Sequence, residues 1–133
     1  MSKSDQGRRN RARGNAWANT VAHMLNDMVE GAEARRGLQG QGEHDTHIPD
    51  VVSNLPLYIE CKTGLKVSIG NALEQVAACA PKGQYRAVVV RDRSRNDPEN
   101  PQKRMEYVAM PLDDWLELVG VWWMECKPRG VTR

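Results

Sequence analysis

The chain has 133 residues, 27% of them charged, and a formal net charge of +2, so a single domain able to bury a core without staples is expected. Its three cysteines, Cys61, Cys79 and Cys126, are odd in number and have no CxxC spacing, which argues against a disulfide framework and a zinc knuckle and for a reducing compartment. No apolar run approaches the roughly 20 residues of a membrane span, and the arginine-rich start lacks the apolar middle of a signal peptide. A cytoplasmic protein with no membrane partner is the expectation.

The basic residues are unevenly placed. Lys3, Arg8, Arg9, Arg11 and Arg13 crowd the start against one acid, Asp5, and Lys127, Arg129 and Arg133 crowd the end. Such blocks are commonly solvated tails; the alternative is phosphate contact, in which each displaced counterion adds sequence-independent affinity. Residues 1–14 show no apolar periodicity and read as a flexible basic arm ahead of a single domain over 15–133. From there Trp17, Val21, Met24, Leu25, Met28 and Val29 recur at helical spacing. With Asn15 as a cap and Gly31 as a stop, they predict an amphipathic helix over 16–30.

The polar, glycine-rich stretch "GLQGQGEH" (37–44) predicts a loop into the first strand. "THIPDVVS" and "LYIECK" follow, separated by Asn54, Leu55 and Pro56, and predict an antiparallel hairpin. Ile69, Leu73, Val76, Ala77 and Ala80 predict a helix over 68–80, with Ser68 able to cap it and Pro81 and Gly83 ending it. "YRAVVVRD" (85–92) is apolar through its middle, as a central strand covered on both faces would be. Residues 93–103, with Pro98 and Pro101, read as an exposed loop, and "MEYVAM" as a fourth strand. Leu112, Trp115, Leu116 and Val119 mark a short helix before Gly120. The order α-β-β-α-β-β-α predicts an α/β fold, a mixed sheet flanked by helices.

The tripeptide Glu-Cys-Lys occurs twice, at 60–62 and at 125–127. In the first copy, strand alternation sends Glu60 and Lys62 to one face and Cys61 to the other. A hairpin turning at Asn54 to Pro56 would bring Asp50 close to Glu60. Phosphodiester hydrolysis needs a cation to offset charge on the phosphate and a water that becomes hydroxide. Two carboxylates are hard ligands suited to Mg²⁺, a lysine beside the water favours hydroxide, and the Cys61 backbone carbonyl adds a possible third ligand. The second copy also has upstream acids, but Asp113 and Asp114 open a helix, where capping and the helix dipole account for them. Glu125 and Lys127 therefore read as surface charges.

Pro49-Asp50, nine intervening residues, then Glu60-Cys61-Lys62 resembles the PD-(D/E)xK nuclease superfamily, whose restriction-endonuclease-like core is helix, three strands, helix and a further strand. The resemblance covers roughly residues 15–90. The small size, the glycine-rich stretch before the first strand and Gln75 on the following helix look most like Holliday-junction resolvases of the archaeal type and their phage-encoded relatives. The resemblance implies a Mg²⁺-dependent endonuclease, with Mn²⁺ able to substitute, that is commonly a homodimer and cuts branched DNA in a bacterial or phage-infected cell. It implies that Asp50 and Glu60 hold metal, that Lys62 positions the nucleophilic water, and that Gln75 assists. The alternatives are a flap- or end-processing nuclease of the same superfamily and a catalytically inactive DNA-binding module. Arg8, Arg9, Arg11, Arg13, Arg35 and Arg36 are the candidate DNA contacts.

The sequence departs from these resolvases at the first helix, where they carry a further acid; the early turns here read "NAWANTVAH". Glu30, Glu33 and Glu43 are near it in sequence only. His44 and His47, spaced HxxH without a third ligand, read as surface residues in preference to a zinc site. Trp122 and Trp123 read as core packing or a dimer interface in preference to base stacking. Gln75 projects from a different side than Leu73 and Val76, so an idle exposed amide remains the alternative to a site role.

Overall fold

A computed structural model describes residues 2–38 and 47–126. Among them the element order is α1 (Lys3–Met28), β1 (Ala34–Arg36), β2 (Val51–Ser53), β3 (Leu57–Gly64), α2 (Ile69–Cys79), β4 (Tyr85–Asn96), β5 (Arg104–Ala109) and α3 (Leu112–Cys126). The sheet has the spatial order β1-β2-β3-β4-β5. Only β3 and β4 are parallel, joined by the α2 crossover; the other neighbours run antiparallel. The α/β class and the mixed sheet flanked by helices are thus as expected, with one strand more than the sequence suggested.

The largest departure is at the start. The basic stretch expected as an irregular arm is the first half of α1, and the helix begins at Lys3 instead of near Asn15. Ser2 occupies the cap, and its hydroxyl accepts a bond from the Asp5 N–H. Asp5 lies in the first turn, where the helix dipole favours an acid, and it pairs with Arg8 one turn on. Arginine, alanine and glutamine are good helix formers, so a cap and local propensity carry these turns without an apolar face. Asn15, the expected cap, is inside the helix.

Only the second half of α1 packs on the sheet. Trp17, Ala18, Val21 and Ala22 are buried against Val51, Ile59 and Cys61. The Trp17 indole N–H also donates to the Val89 carbonyl at 3.0 Å. On the opposite face Tyr58, Ala72, Val76, Val88 and Val90 form the second core layer, beneath α2. β4 is covered on both faces, as its continuous apolar centre predicted, because Val88 and Val90 belong to this layer while Val89 packs in the other. Ser68 stands at the α2 cap without making a side-chain capping bond.

β1 was hidden because its three residues, Ala-Arg-Arg, carry no strand pattern. It exists through pairing with β2, Arg35 opposite Val52, and through two asparagine clamps. Asn26 of α1 bonds both the N–H and the carbonyl of Ala34, and Asn54 bonds the Glu33 N–H and the Gly31 carbonyl. Two further boundaries move. β4 continues through Asn96, into residues expected as loop, and α3 passes through Gly120 to Cys126.

Candidate active site

β3 organises the site. Its alternation places Cys61 in the α1 layer and Tyr58 in the α2 layer, so Glu60 and Lys62 share the α2 side. Pairing of β2 with β3 is limited to Val51 opposite Ile59, so Asp50, the residue before β2, has left the ladder. Its side chain takes over a backbone role: Asp50 Oδ2 accepts the Cys61 N–H at 2.8 Å. That bond fixes a carboxylate at the middle of β3, beside Glu60.

Gly37 makes this approach possible. Its N–H donates to the Asp50 carbonyl at 2.8 Å. A Cβ at Gly37 would stand 2.1 Å from the Pro49 carbonyl oxygen and 3.0 Å from Ile48 Cγ2, closer than atoms can be, so no side chain fits while Pro49 and Asp50 stay where they are.

Glu60 is buried, at 2% exposure. Burial, then the neighbouring Asp50 charge, pushes its carboxyl up to about 7, and the His47 hydrogen bond acts in the opposite direction. His47 Nε2 lies 2.9 Å from Glu60 Oε1, at hydrogen-bond distance, and its ring is tilted against Tyr58 with centroids 6.2 Å apart. This corrects the reading of His47 as a plain surface residue, since sequence spacing pointed to His44 and the bond made is with a strand 13 residues away. His44 and Glu43 lie outside the described residues. The Cys61 thiol is buried and its pKa is raised by that burial and by Asp50, which leaves it inert as a nucleophile.

Lys62 faces a groove formed with Lys66, Ser68, Asn71 and Gln75. The helix that follows β3 thereby carries the Gln75 amide to the same groove as the Lys62 ammonium. On the other flank of β3, Asp50 and Cys61 line a groove with Arg11, Gly14, Asn15, Ala18 and Arg36. The α1 positions facing Asp50 are thus a cation, two small residues and an amide. No α1 acid lines this groove, and Glu30 and Glu33 lie beyond the helix, in the turn before β1.

The other arginines are dispersed. Arg13 faces a third groove, on the far side of α1; Arg8 pairs with Asp5; Arg9 is exposed; Arg35 lines a separate groove with Asn26 and Asn54. Lys127 and the residues after it lie outside the described residues, while Glu125 is exposed on α3. Asp114 is not merely a helix-start acid. It takes three bonds from Arg86 of β4, at 2.6, 2.7 and 3.0 Å, and these hold its carboxyl below the usual range.

Among the described residues no group of three or more histidine, cysteine, aspartate or glutamate side chains is placed to hold a metal ion. The donor set at β3 is smaller and of a different kind: two carboxylates, Asp50 and Glu60, beside the backbone of Cys61. It still fits a hard divalent cation, because the Asp50 carboxylate beside buried Glu60 opposes Glu60's ionisation, and that repulsion is what such a cation relieves. No described helix is long and apolar enough to cross a membrane. No family model, curated protein or solved structure matches the chain, so a functional reading rests on the side chains gathered around β3.

Proposed function

We propose that the chain is a Mg²⁺-dependent deoxyribonuclease with a restriction-endonuclease-like core, cutting branched DNA as the junction resolvases it resembles do. The observation that carries this reading is the convergence on β3: Asp50 bonded to the Cys61 N–H, Glu60 buried beside it, and Lys62 two residues on, facing Gln75 across a groove. Asp50 and Glu60 would hold the ion, with the Cys61 carbonyl as a further ligand. When bound, Mg²⁺ offsets charge on the scissile phosphate and acidifies a water. Lys62 orients that water and favours its deprotonated form, and Gln75 supplies an amide donor beside it. Arg11 and Arg36, flanking Asp50, bind the substrate backbone.

Cleavage of labelled four-way junction, flap, single-stranded and linear duplex DNA, in Mg²⁺ and in EDTA, tests the reading. Metal-dependent cutting that prefers the junction is expected. Equal cutting of linear duplex removes the resolvase assignment, and preferential cutting of flaps supports the end-processing alternative. The observation favouring an inactive DNA-binding module is the absence of an acid on the α1 face toward Asp50; metal-independent binding with no cutting of any substrate would establish it.

A homodimer is part of the proposal, and α3 supplies its surface. Leu112, Trp115, Leu116, Val119, Trp122 and Trp123 lie along one side of this helix and are 38% to 67% exposed, so the two tryptophans are not core residues. Large apolar and aromatic side chains gathered on one exposed face are what the core of a standard interface, ~800 Å² per partner, is built from. A second copy meeting this stripe would bury it by two-fold symmetry. Light scattering should give twice the chain mass, and Trp122→Glu should return it to the monomer value.

A further inference from the structure

We propose that a groove formed by Arg13, Arg93 and Arg104 is a second binding site for the DNA phosphate backbone, on the opposite flank of α1 from Asp50. It deepens the nuclease reading and rests on it. The groove is walled by α1 on one side and by the ends of β4 and β5 on the other, with Trp17 and Thr63 at its base and Arg91 completing the wall. Four guanidinium groups therefore share one depression.

Only one of the four is neutralised. Arg91 bonds Glu106 at 2.7 and 2.8 Å, and its guanidinium carbon lies 4.2 Å from the Trp17 ring centre, so it is tied down and its charge matched. The Arg13 and Arg93 side chains have no hydrogen bond or ion pair among the described residues, and Arg104 Nη1 donates only to the neutral Asn96 amide oxygen, at 3.1 Å. Like charges gathered without a counter-charge repel one another. Packing does not account for them either, since Arg13 and Arg104 are exposed.

The backbone shows how Arg93 comes to be there. Pairing of β4 with β5 steps from Asp92 opposite Met105 to Asn96 opposite Arg104, so residues 93–95 form a bulge. Bulges re-aim side chains and are enriched beside functional sites. The other cation of that bulge, Arg95, is instead drawn to Asp92 and does not line the groove.

Position gives the groove its ligand. It lies at the carboxyl ends of β3 and β4, the parallel pair, where open α/β sheets bind their ligands. Thr63 lines both this groove and the one holding Lys62, Lys66 and Gln75. A strand whose backbone crosses Arg93 and Arg104 is thereby led over Thr63 to Lys62. Planar guanidinium forks suit phosphate oxygens, and a continuous chain of phosphodiesters is the polyanion that would use both grooves at once.

The test is anisotropy of a fluorescein-labelled four-way junction in EDTA, with affinity measured against potassium chloride concentration for the full chain. The slope of log affinity on log salt falls by about 0.9 for each phosphate that is no longer neutralised. Arg93→Gln with Arg104→Gln should lower the slope by about 2 and weaken binding at least roughly tenfold, whereas Arg93→Lys with Arg104→Lys keeps most of the slope. Arg95→Gln, which removes one charge from the same hairpin just as Arg93→Gln does, should leave the slope unchanged. Arg93→Gln alone, with an expected decrease of about 1, serves if the double variant melts at a lower temperature. Wild-type slope in folded Arg93 and Arg104 variants overturns the groove while leaving the nuclease reading standing. A slope reduced equally in Arg95→Gln also overturns it, as general charge. Failure of the wild-type chain to bind DNA removes both.

Discussion

Glu60-Cys61 and Glu125-Cys126 put the same side chains into opposite surroundings. On β3, alternation separates acid from thiol: Glu60 goes to 2% exposure beside Asp50 and His47, while Cys61 is buried under α1. On α3, the pair lies at the last turn of a helix whose neighbouring apolar side chains, Trp122, Trp123 and Met124, are 46% to 69% exposed. Glu125 has no side-chain bond among the described residues. A carboxylate acquires chemistry from what surrounds it: low dielectric, a second acid and a fixed donor. The tripeptide by itself supplies none of these.

The sharpest way to break the comparison is to remove the partners of the first copy. Asp50→Asn keeps an oxygen that can accept the Cys61 N–H but loses the charge, and Lys62→Ala loses the ammonium. Either should reduce cleavage by at least ~10³-fold, the scale of removing a group that acts directly on the reacting atoms, while junction binding in EDTA persists. Loss of binding together with cleavage would show that these residues hold the fold or the DNA instead of the chemistry.

Gly37→Ala should come next. It removes no charged group and strikes the 2.1 Å approach to the Pro49 carbonyl, so Pro49 and Asp50 must move. A stability loss of about 1–3 kcal/mol is expected for overpacking of this kind, with cleavage reduced roughly a hundredfold by displacement of the Asp50 carboxylate. Urea unfolding and single-turnover cleavage measure the two effects separately. Unchanged cleavage would mean that Asp50 tolerates displacement and is not a metal ligand.

The third test uses the raised pKa of Glu60. Its folded value, about 7, exceeds the ordinary 4.5, so between these pH values the folded protein holds a proton that the unfolded chain has released. The stability tied to that proton is fully present below about pH 4.5 and is lost as pH rises through 7. In EDTA, urea unfolding should therefore show wild type losing stability relative to Glu60→Gln over this window, and Mg²⁺ at pH 7 should recover part of the loss. Parallel pH profiles for the two proteins would refute the raised pKa of Glu60, which rests first on its burial and then on the Asp50 charge beside it.

These contrasts also mark what the sequence could reveal. The hairpin, the crossover helix and central β4 were legible because Val51, Ile59, Val76, Val88 and Val90 declare their burial through periodicity. The first turns of α1 were not, since Ser2, Asp5 and Arg8 stabilise a helix by capping and pairing, with no apolar stripe. β1 depends on Asn26 and Asn54, which lie outside the strand, and the His47 bond is made with a strand residue 13 positions on. Asp50, Glu60 and Lys62 could be singled out because their spacing reflects a hairpin; Arg93 could not, because a bulge directs it.

The smallest expected effect belongs to the second copy. Glu125→Gln removes one exposed charge from a helix end and leaves no buried group unpaired, so stability should change by less than ~0.5 kcal/mol. Junction cleavage should stay within about twofold, since a charge this exposed is screened over roughly 10 Å at 0.1 M salt. The variant is informative because it is the same chemical change as Glu60→Gln. If Glu60→Gln abolishes cleavage and Glu125→Gln does not, burial beside Asp50 distinguishes the two glutamates. If both abolish it in folded protein, α3 brings its glutamate to the reaction through a second copy of the chain. The comparison would then concern two contributors to one site.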